Sequence, residues 1–176
     1  LERVVSDSAA LEDATTEAME TLIQIRSDAA GWLGLVNLLT ERLDSHQDSP
    51  STNAWLLTLR AGLWMDSLGQ EEPARTDYSA ALDCDPDHGP ALLALGQMND
   101  LKTDVHGALA MYRRALETTV NGLNSRERAV AFDGAVGCIK VLGLDAELKD
   151  FAVEVAERFP DSSEIHTRIE DLVGLD

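Results

Sequence analysis

Two consecutive stretches of 34 residues decide the fold of this chain. Residues 55–88 read WLLTLRAGLWMDSLGQEEPARTDYSAALDCDPDH, and residues 89–122 read GPALLALGQMNDLKTDVHGALAMYRRALETTVNG. The residues that recur at this offset are Gly62 and Gly96, Ala74 and Ala108, Tyr78 and Tyr112, Ala81 and Ala115, and Leu82 and Leu116. An internal repeat of this length is typical of stacked helical units.

The rest of the chain follows a pattern of helix, short break and helix. Apolar residues recur at spacings of three and four, which predicts about nine α-helices and no strand. The predicted helices cover roughly residues 6–26, 29–43, 54–68, 73–82, 90–101, 104–119, 125–143, 145–159, and 162 or 163 onward. Ser125 and Asp145 are predicted N-caps, although Arg128 stands where a capping box would have Glu, and Gly69 and Gly143 are predicted helix ends. Because the links are short, we expect neighbouring helices to be antiparallel.

The charge balance is strongly acidic. Thirty-two Asp and Glu residues face 14 Lys and Arg residues, for a net charge of −18. Such a surface repels phosphate backbones and anionic membranes, so we expect neither nucleic-acid binding nor membrane docking. The surplus either attracts a basic partner or serves solubility, and no apolar run is long enough to span a membrane.

The chain resembles the tetratricopeptide repeat (TPR) family, whose period is about 34 residues. Family positions are occupied in the first stretch by Gly62, Ala74, Tyr78, Ala81 and Pro86, and in the second by Leu92, Leu95, Gly96, Ala108, Tyr112 and Ala115. The resemblance implies an all-α fold, a right-handed solenoid of antiparallel helix pairs. Gly62 and Ala74 would be small where the two helices of a repeat cross, and Tyr78 and Tyr112 would fill the gap to the next repeat.

Outside these repeats the resemblance weakens. We predict one TPR-like domain over residues 1–176, with a divergent helix pair at 1–53, two clear repeats at 54–122, a degenerate repeat at 123–160 and a capping helix at 161–176. In the degenerate repeat, Leu148 stands where a small residue belongs, and Gly137 lies one place late. Residues 1–5 resemble the end of an earlier repeat, so we expect the chain to come from a longer solenoid.

The resemblance also implies where a partner would bind. In the family, the second, fifth, ninth and twelfth places of each repeat line a concave groove. The predicted groove residues are therefore Leu56, Leu59, Leu63 and Asp66, followed by Pro90, Leu93, Gln97 and Asp100. The alternative is that the N-terminal helices cover some of these leucines, because an open groove this apolar is a liability.

No constellation for catalysis or for a cofactor stands out. Histidines 46, 88, 106 and 166 lack a second ligand at metal-binding spacing and are expected at the surface or in loops. Asp83, Asp85 and Asp87 alternate as in a calcium loop, but the terminal Glu is missing and Pro86 indicates a turn between repeats. Cys84 and Cys138 are expected to be small apolar residues. We therefore expect no enzyme activity, no cofactor and no metal.

Two functions remain in view. The first is a scaffold that binds a protein or peptide, with apolar anchors and some basic residues, in the groove. The second is a structural or regulatory domain of a larger protein that packs on a sibling domain or self-associates through an open end, which would make it a homo-oligomer. The compartment stays open.

Overall fold

The computed structural model describes residues 29–45, 48–101, 104–118 and 122–173. These residues form eight α-helices and one short π-helix, with no strand among them, which confirms the all-α prediction. The helices are α1 (Ala29–Asp44), α2 (Pro50–Gly62), a π-helix (Leu63–Ser67), α3 (Glu71–Cys84), α4 (Gly89–Leu101), α5 (Val105–Glu117), α6 (Ser125–Val141), α7 (Asp145–Arg158) and α8 (Ser163–Val173). The predicted helix at 6–26 lies outside the described residues.

Several helix beginnings differ from the predictions, and two of those helices begin at a side-chain cap. Ser49 caps α2 by accepting a hydrogen bond from the backbone N–H of Thr52, with Pro50 in the first turn, so α2 starts before the predicted 54. Asn124, not Ser125, caps α6 and forms a full capping box with Glu127. Leu144 occupies the N-cap of α7, and Asp145 is the first helical residue.

Helix ends agree better with the sequence. Gly69 and Gly143 both have positive φ, 64° and 69°, which a residue without a Cβ adopts at low cost. The π-helix was not predicted. It continues α2 directly and widens the last turn, where the N–H of Leu68 donates to the carbonyl of Leu63 at 3.1 Å.

The chain divides into two compact units, residues 1–77 and 78–176. In the first unit, α1 packs on α2 and on the π-helix. Its buried core consists of Leu35, Val36, Leu39, Leu56 and Leu63, and it is bordered by partly buried Trp32, Trp55 and Trp64, among others.

A buried ion pair fastens the helices of the first unit. The guanidinium of Arg60 on α2 donates two hydrogen bonds of 2.7 Å to the carboxylate of Asp77 on α3. A third N–H of Arg60 donates to the hydroxyl of Thr40 on α1 at 2.8 Å. Bidentate geometry with a further acceptor is the arrangement that best offsets the desolvation of a buried pair.

In the second unit, α5 packs between α4 and α6, and α4 also contacts α6. The ring of Tyr112 on α5 lies against two glycines. A Cβ on Gly96 of α4 would come within 2.8 Å of that ring, and one on Gly134 of α6 within 2.5 Å. The ring of Tyr112 thus fills the space between α4 and α6.

The C-terminal helices close the core of the second unit. Phe132 of α6 stacks on Phe151 of α7 with ring centroids 5.6 Å apart. Helix α8 packs on α6 and α7, and its apolar residues Ile165, Ile169 and Leu172 face the same core.

The expectation for Gly62 is wrong. Apart from its own helix, no atom of the described part of the chain lies within 4 Å of the position that a Cβ on Gly62 would take. Gly62 therefore does not allow a close helix crossing, although it matches Gly96 in the repeat. Ala74, the other residue expected at that crossing, is fully buried.

Candidate partner-binding surfaces

The predicted groove residues on α2 and the π-helix differ in how far they are buried. Leu56 and Leu63 are only 1% and 4% exposed, because they pack in the core formed with α1. Leu59 is half-buried at the edge of that core, and Asp66 is exposed. A partner can therefore reach Leu59 and Asp66, whereas Leu56 and Leu63 are covered by the chain itself.

The accessible face of α2 includes two residues that each precede a predicted groove residue by one position, together with the predicted Leu59. Trp55, Leu59 and Gly62 follow each other at spacings of four and three, which places them on one face of the helix. Both Trp55 and Leu59 are half-buried, so each keeps part of its apolar surface available. Large aromatic side chains of this kind are enriched in protein interfaces.

On α4, the predicted residues also split. Leu93 is buried in the core of the second unit, while Gln97 is exposed and Pro90 is half-buried. The side chain of Asp100 lies outside the part that the structure describes. Helix α4 thus offers a mainly polar surface at Gln97 rather than an apolar anchor at Leu93.

Helix α6 carries an exposed face that our sequence-based prediction missed. We call it the α6 face, and its residues are Val130, Asp133, Gly137, Lys140 and Val141, all exposed. Val130, Gly137 and Val141 are spaced by seven and four, so they form one apolar stripe flanked by the two charged residues. The signal was present: when the 34-residue family pattern is aligned to residues 129–162, which covers most of the degenerate repeat, its second, fifth, ninth and twelfth places are the first four of these residues.

The α6 face is open along its length. Within the ranges that the structure describes, no atom outside its own helix lies within 4 Å of the position that a Cβ on Gly137 would take, and Val141 is 73% exposed. At its edge, the carboxylate of Asp133 accepts a hydrogen bond of 2.8 Å from the guanidinium of Arg168 on α8. This pair orders the rim of the face without covering the valines.

Many arginines of the second unit serve internal contacts. Arg113 pairs with Glu147 at 3.0 Å and lies over the ring of Phe151, and Arg128 lies over the ring of Phe159. Backbone carbonyls of Pro86 and Glu117 accept hydrogen bonds from Arg114 and Arg158. These arginines contact the protein's own groups, so carboxylates dominate the charge that the surface presents to a partner.

The described residues offer little for other chemistry. No group of three or more His, Cys, Asp or Glu side chains among them is placed to hold a metal ion. Cys138 is buried, as expected for a small apolar residue, and Cys84 is partly buried. None of the described helices combines the length and apolar character needed to cross a membrane.

Histidine 88 departs from the sequence-based expectation. It lies in the turn between α3 and α4, as predicted for a loop histidine, but its side chain is buried and not at the surface. His106, in contrast, is exposed on α5.

Comparison of the chain with protein-family models, with curated proteins and with solved structures gave no match. The resemblance to the TPR family therefore rests on the repeat residues themselves.

Proposed function

We propose that this chain is a protein-interaction scaffold of TPR-like helix pairs, arranged as a right-handed solenoid. The order of packing in the second unit supports this arrangement. Helix α5 lies between its own partner α4 and the next first helix, α6, and α4 also contacts α6. Tyr112 fills the space against Gly96 and Gly134, as a residue bridging two repeats would.

The observation that carries the binding role is the α6 face. Its apolar stripe of Val130, Gly137 and Val141 is exposed, and Val130 and Gly137 stand at places that line the groove in the family. Exposed valines on a helix otherwise rich in charge are a cost to solubility unless a partner covers them. Gly137 leaves room for a close approach by the backbone or by a large side chain of that partner.

The partner is a polypeptide segment with apolar anchors and basic residues. The net charge of −18 favours a basic segment over an acidic one, both in affinity and in rate of encounter. In the first unit, the accessible Leu59 and exposed Asp66 offer a smaller surface of the same character. Apolar contact would supply most of the affinity, and charge would supply selectivity.

The test is a pull-down from extract of the source cells with this chain as bait. The variant Val130→Glu/Val141→Glu changes only exposed side chains, so the fold is retained. Val153→Glu on α7 is the matched control, because Val153 is 50% exposed and lies outside the α6 face. We expect a set of proteins that is captured by the wild type and by the control but lost with the double variant. Capture of the same set by all three baits would refute the assignment.

A second function is favoured by one feature of the first unit. Leu33 and Leu38 are exposed on α1, beside exposed Gly34 and Asn37. An apolar surface of this kind also fits packing on a sibling domain or on a second copy of the chain. Size-exclusion chromatography with light scattering distinguishes the cases: a dimer that Leu33→Gln/Leu38→Gln converts to a monomer supports self-association, and a wild-type monomer excludes it.

A further inference from the structure

His88 occupies an unusual position at the start of α4. Its side chain is only 4% exposed, and neither ring nitrogen has a hydrogen-bond partner among the residues that the structure describes. Its carbonyl accepts a bond of 3.2 Å from the N–H of Leu92, so His88 stands at the N-terminal end of the helix. A buried imidazole without partners carries a desolvation cost, and that cost is much larger when the ring is charged.

The surroundings of the ring disfavour its protonation. Burial lowers the pKa of His88 from its ordinary value of 6.5, and the carboxylate of Asp85 opposes that change only in part. The first turn of α4 carries no acidic side chain, and a helix N-terminus is unfavourable for a cation. From α5, the guanidinium of Arg114 donates to the carbonyl of Pro86 at 2.7 Å, which brings a further positive charge to the same turn.

Outside the core, the same turn is suited to a charged ring. Asp83 at the end of α3 and Asp87 in the turn are exposed, and Asp85 is partly exposed. Cys84 is the other titratable side chain of this segment, and it is half-buried. A protonated His88 that left the core would enter a field of three carboxylates, which stabilises the imidazolium there.

We propose that His88 is a proton-sensitive latch of the α3–α4 turn. The neutral ring fills the core and keeps the turn closed, whereas the protonated ring moves to solvent among the aspartates and loosens the first turn of α4. This device goes beyond the partner-binding role and does not depend on it.

The direction of the pH effect follows from linkage. A group whose pKa is lower in the closed state than in the open state binds more protons in the open state, so closure is favoured above the open-state pKa. Closure then weakens as the pH falls below about 6.5. As long as the pH stays above the closed-state pKa, the ratio of open to closed turns increases by up to about tenfold for each unit by which the pH falls. Between pH 7.5 and 5.5 the total increase is about tenfold.

Hydrogen exchange tests the latch in the unmodified protein. Exchange rates of the amides at 87–89 and 91–93, corrected for the intrinsic effect of pH, are expected to rise about tenfold between pH 7.5 and 5.5. Amides in α6 and α8 serve as the reference and should change much less. In parallel, the ring signals of His88 should titrate with a midpoint below 6.5. A midpoint at or above 6.5, or turn amides that respond like the reference, would overturn the proposal.

A matched pair of variants isolates the ring. His88→Leu fills the buried site with an apolar side chain and should abolish the pH response of the turn while leaving it closed at pH 7.5. His106→Leu, at an exposed histidine of α5, should keep the response. A response that persists in His88→Leu would contradict the latch. If His88→Leu does not fold, the ring titration and exchange of the wild type decide the question.

Discussion

Helices α2 and α6 are both predicted to be the first helix of a helix pair, yet their groove positions differ in exposure. Helix α2 belongs to a repeat with a clear signature, but α1 covers Leu56 on this helix and Leu63 on the π-helix that continues it. Helix α6 belongs to the degenerate repeat, and all four of its groove positions are exposed. The better-matching repeat thus has the less accessible surface.

This difference separates two properties that a repeat signature is often taken to report together. Small residues and Tyr112 determine how the helices of neighbouring pairs pack. Whether the outer side of a helix stays open depends on an element outside the repeat, here α1, which covers α2. Accessible surface, and with it any binding role, must therefore be located from burial and cannot be read from the match to the family.

The largest expected effect comes from uncoupling α1 and α2 from α3. Asp77→Ala leaves Arg60 buried without its carboxylate, which should cost about 3–5 kcal/mol in the free energy of unfolding. Urea unfolding followed by Trp fluorescence measures it, because all three tryptophans (Trp32, Trp55 and Trp64) lie in the first unit.

The exposed pair of Arg168 and Asp133 provides the control for that prediction. Asp133→Ala should cost at most about 1 kcal/mol, because solvent screens this pair. The combined variant Arg60→Met/Asp77→Leu should recover much of the loss, since it removes both buried charges. An Asp77→Ala variant as stable as Asp133→Ala would show that the buried network does not hold the first unit together.

The next effect compares the two helices directly. Leu56→Ala should destabilise the first unit by about 2–5 kcal/mol, because it opens a cavity beneath α1. Val141→Ala on α6 should change the stability by no more than about 0.5 kcal/mol, because its side chain is mostly in solvent. Thermal unfolding of both variants measures the contrast, and similar losses in the two would contradict it.

A smaller effect distinguishes the glycines. Gly134→Ala drives a Cβ against the ring of Tyr112 and should cost about 1–3 kcal/mol. Gly62→Ala meets no atom and should stabilise α2 by about 0.5–1 kcal/mol, since Ala is the better helix former. Chemical unfolding of the two variants shows the sign of each change. Destabilisation by Gly62→Ala would mean that this glycine does sit at a close crossing.

Much of the fold could be predicted from local signals. The spacing of apolar residues gave the helices of the described ranges, and Gly69, Asp104 and Gly143 marked ends correctly. The cap of α6 was misplaced by one residue because Asn124 and Ser125 are both good caps, and only the geometry with Glu127 selects between them. The π-helix left no recognisable signal in the sequence, although Leu63 and Trp64 within it belong to the core that includes residues of α1.

The candidate site was harder to predict than the fold. The sequence left open whether Leu56, Leu63 and Leu93 line an open groove or are partly covered by the N-terminal helices, because burial of those residues depends on neighbours distant in sequence. The α6 face followed from the same family positions, but its repeat was too divergent to suggest using them. His88 was expected at the surface or in a loop; it does lie in a turn, but nothing in its local sequence indicates its burial.

Site-specific photo-crosslinking tests most directly whether the α6 face binds the partner. A crosslinking amino acid placed at Gly137 points into open space, and one placed at Val153 on α7 is equally free. We expect proteins captured by the wild-type chain to crosslink from position 137 and not from 153, with a yield that falls as salt screens the acidic surface. Equal crosslinking from both positions, or crosslinking from 153 alone, would contradict it.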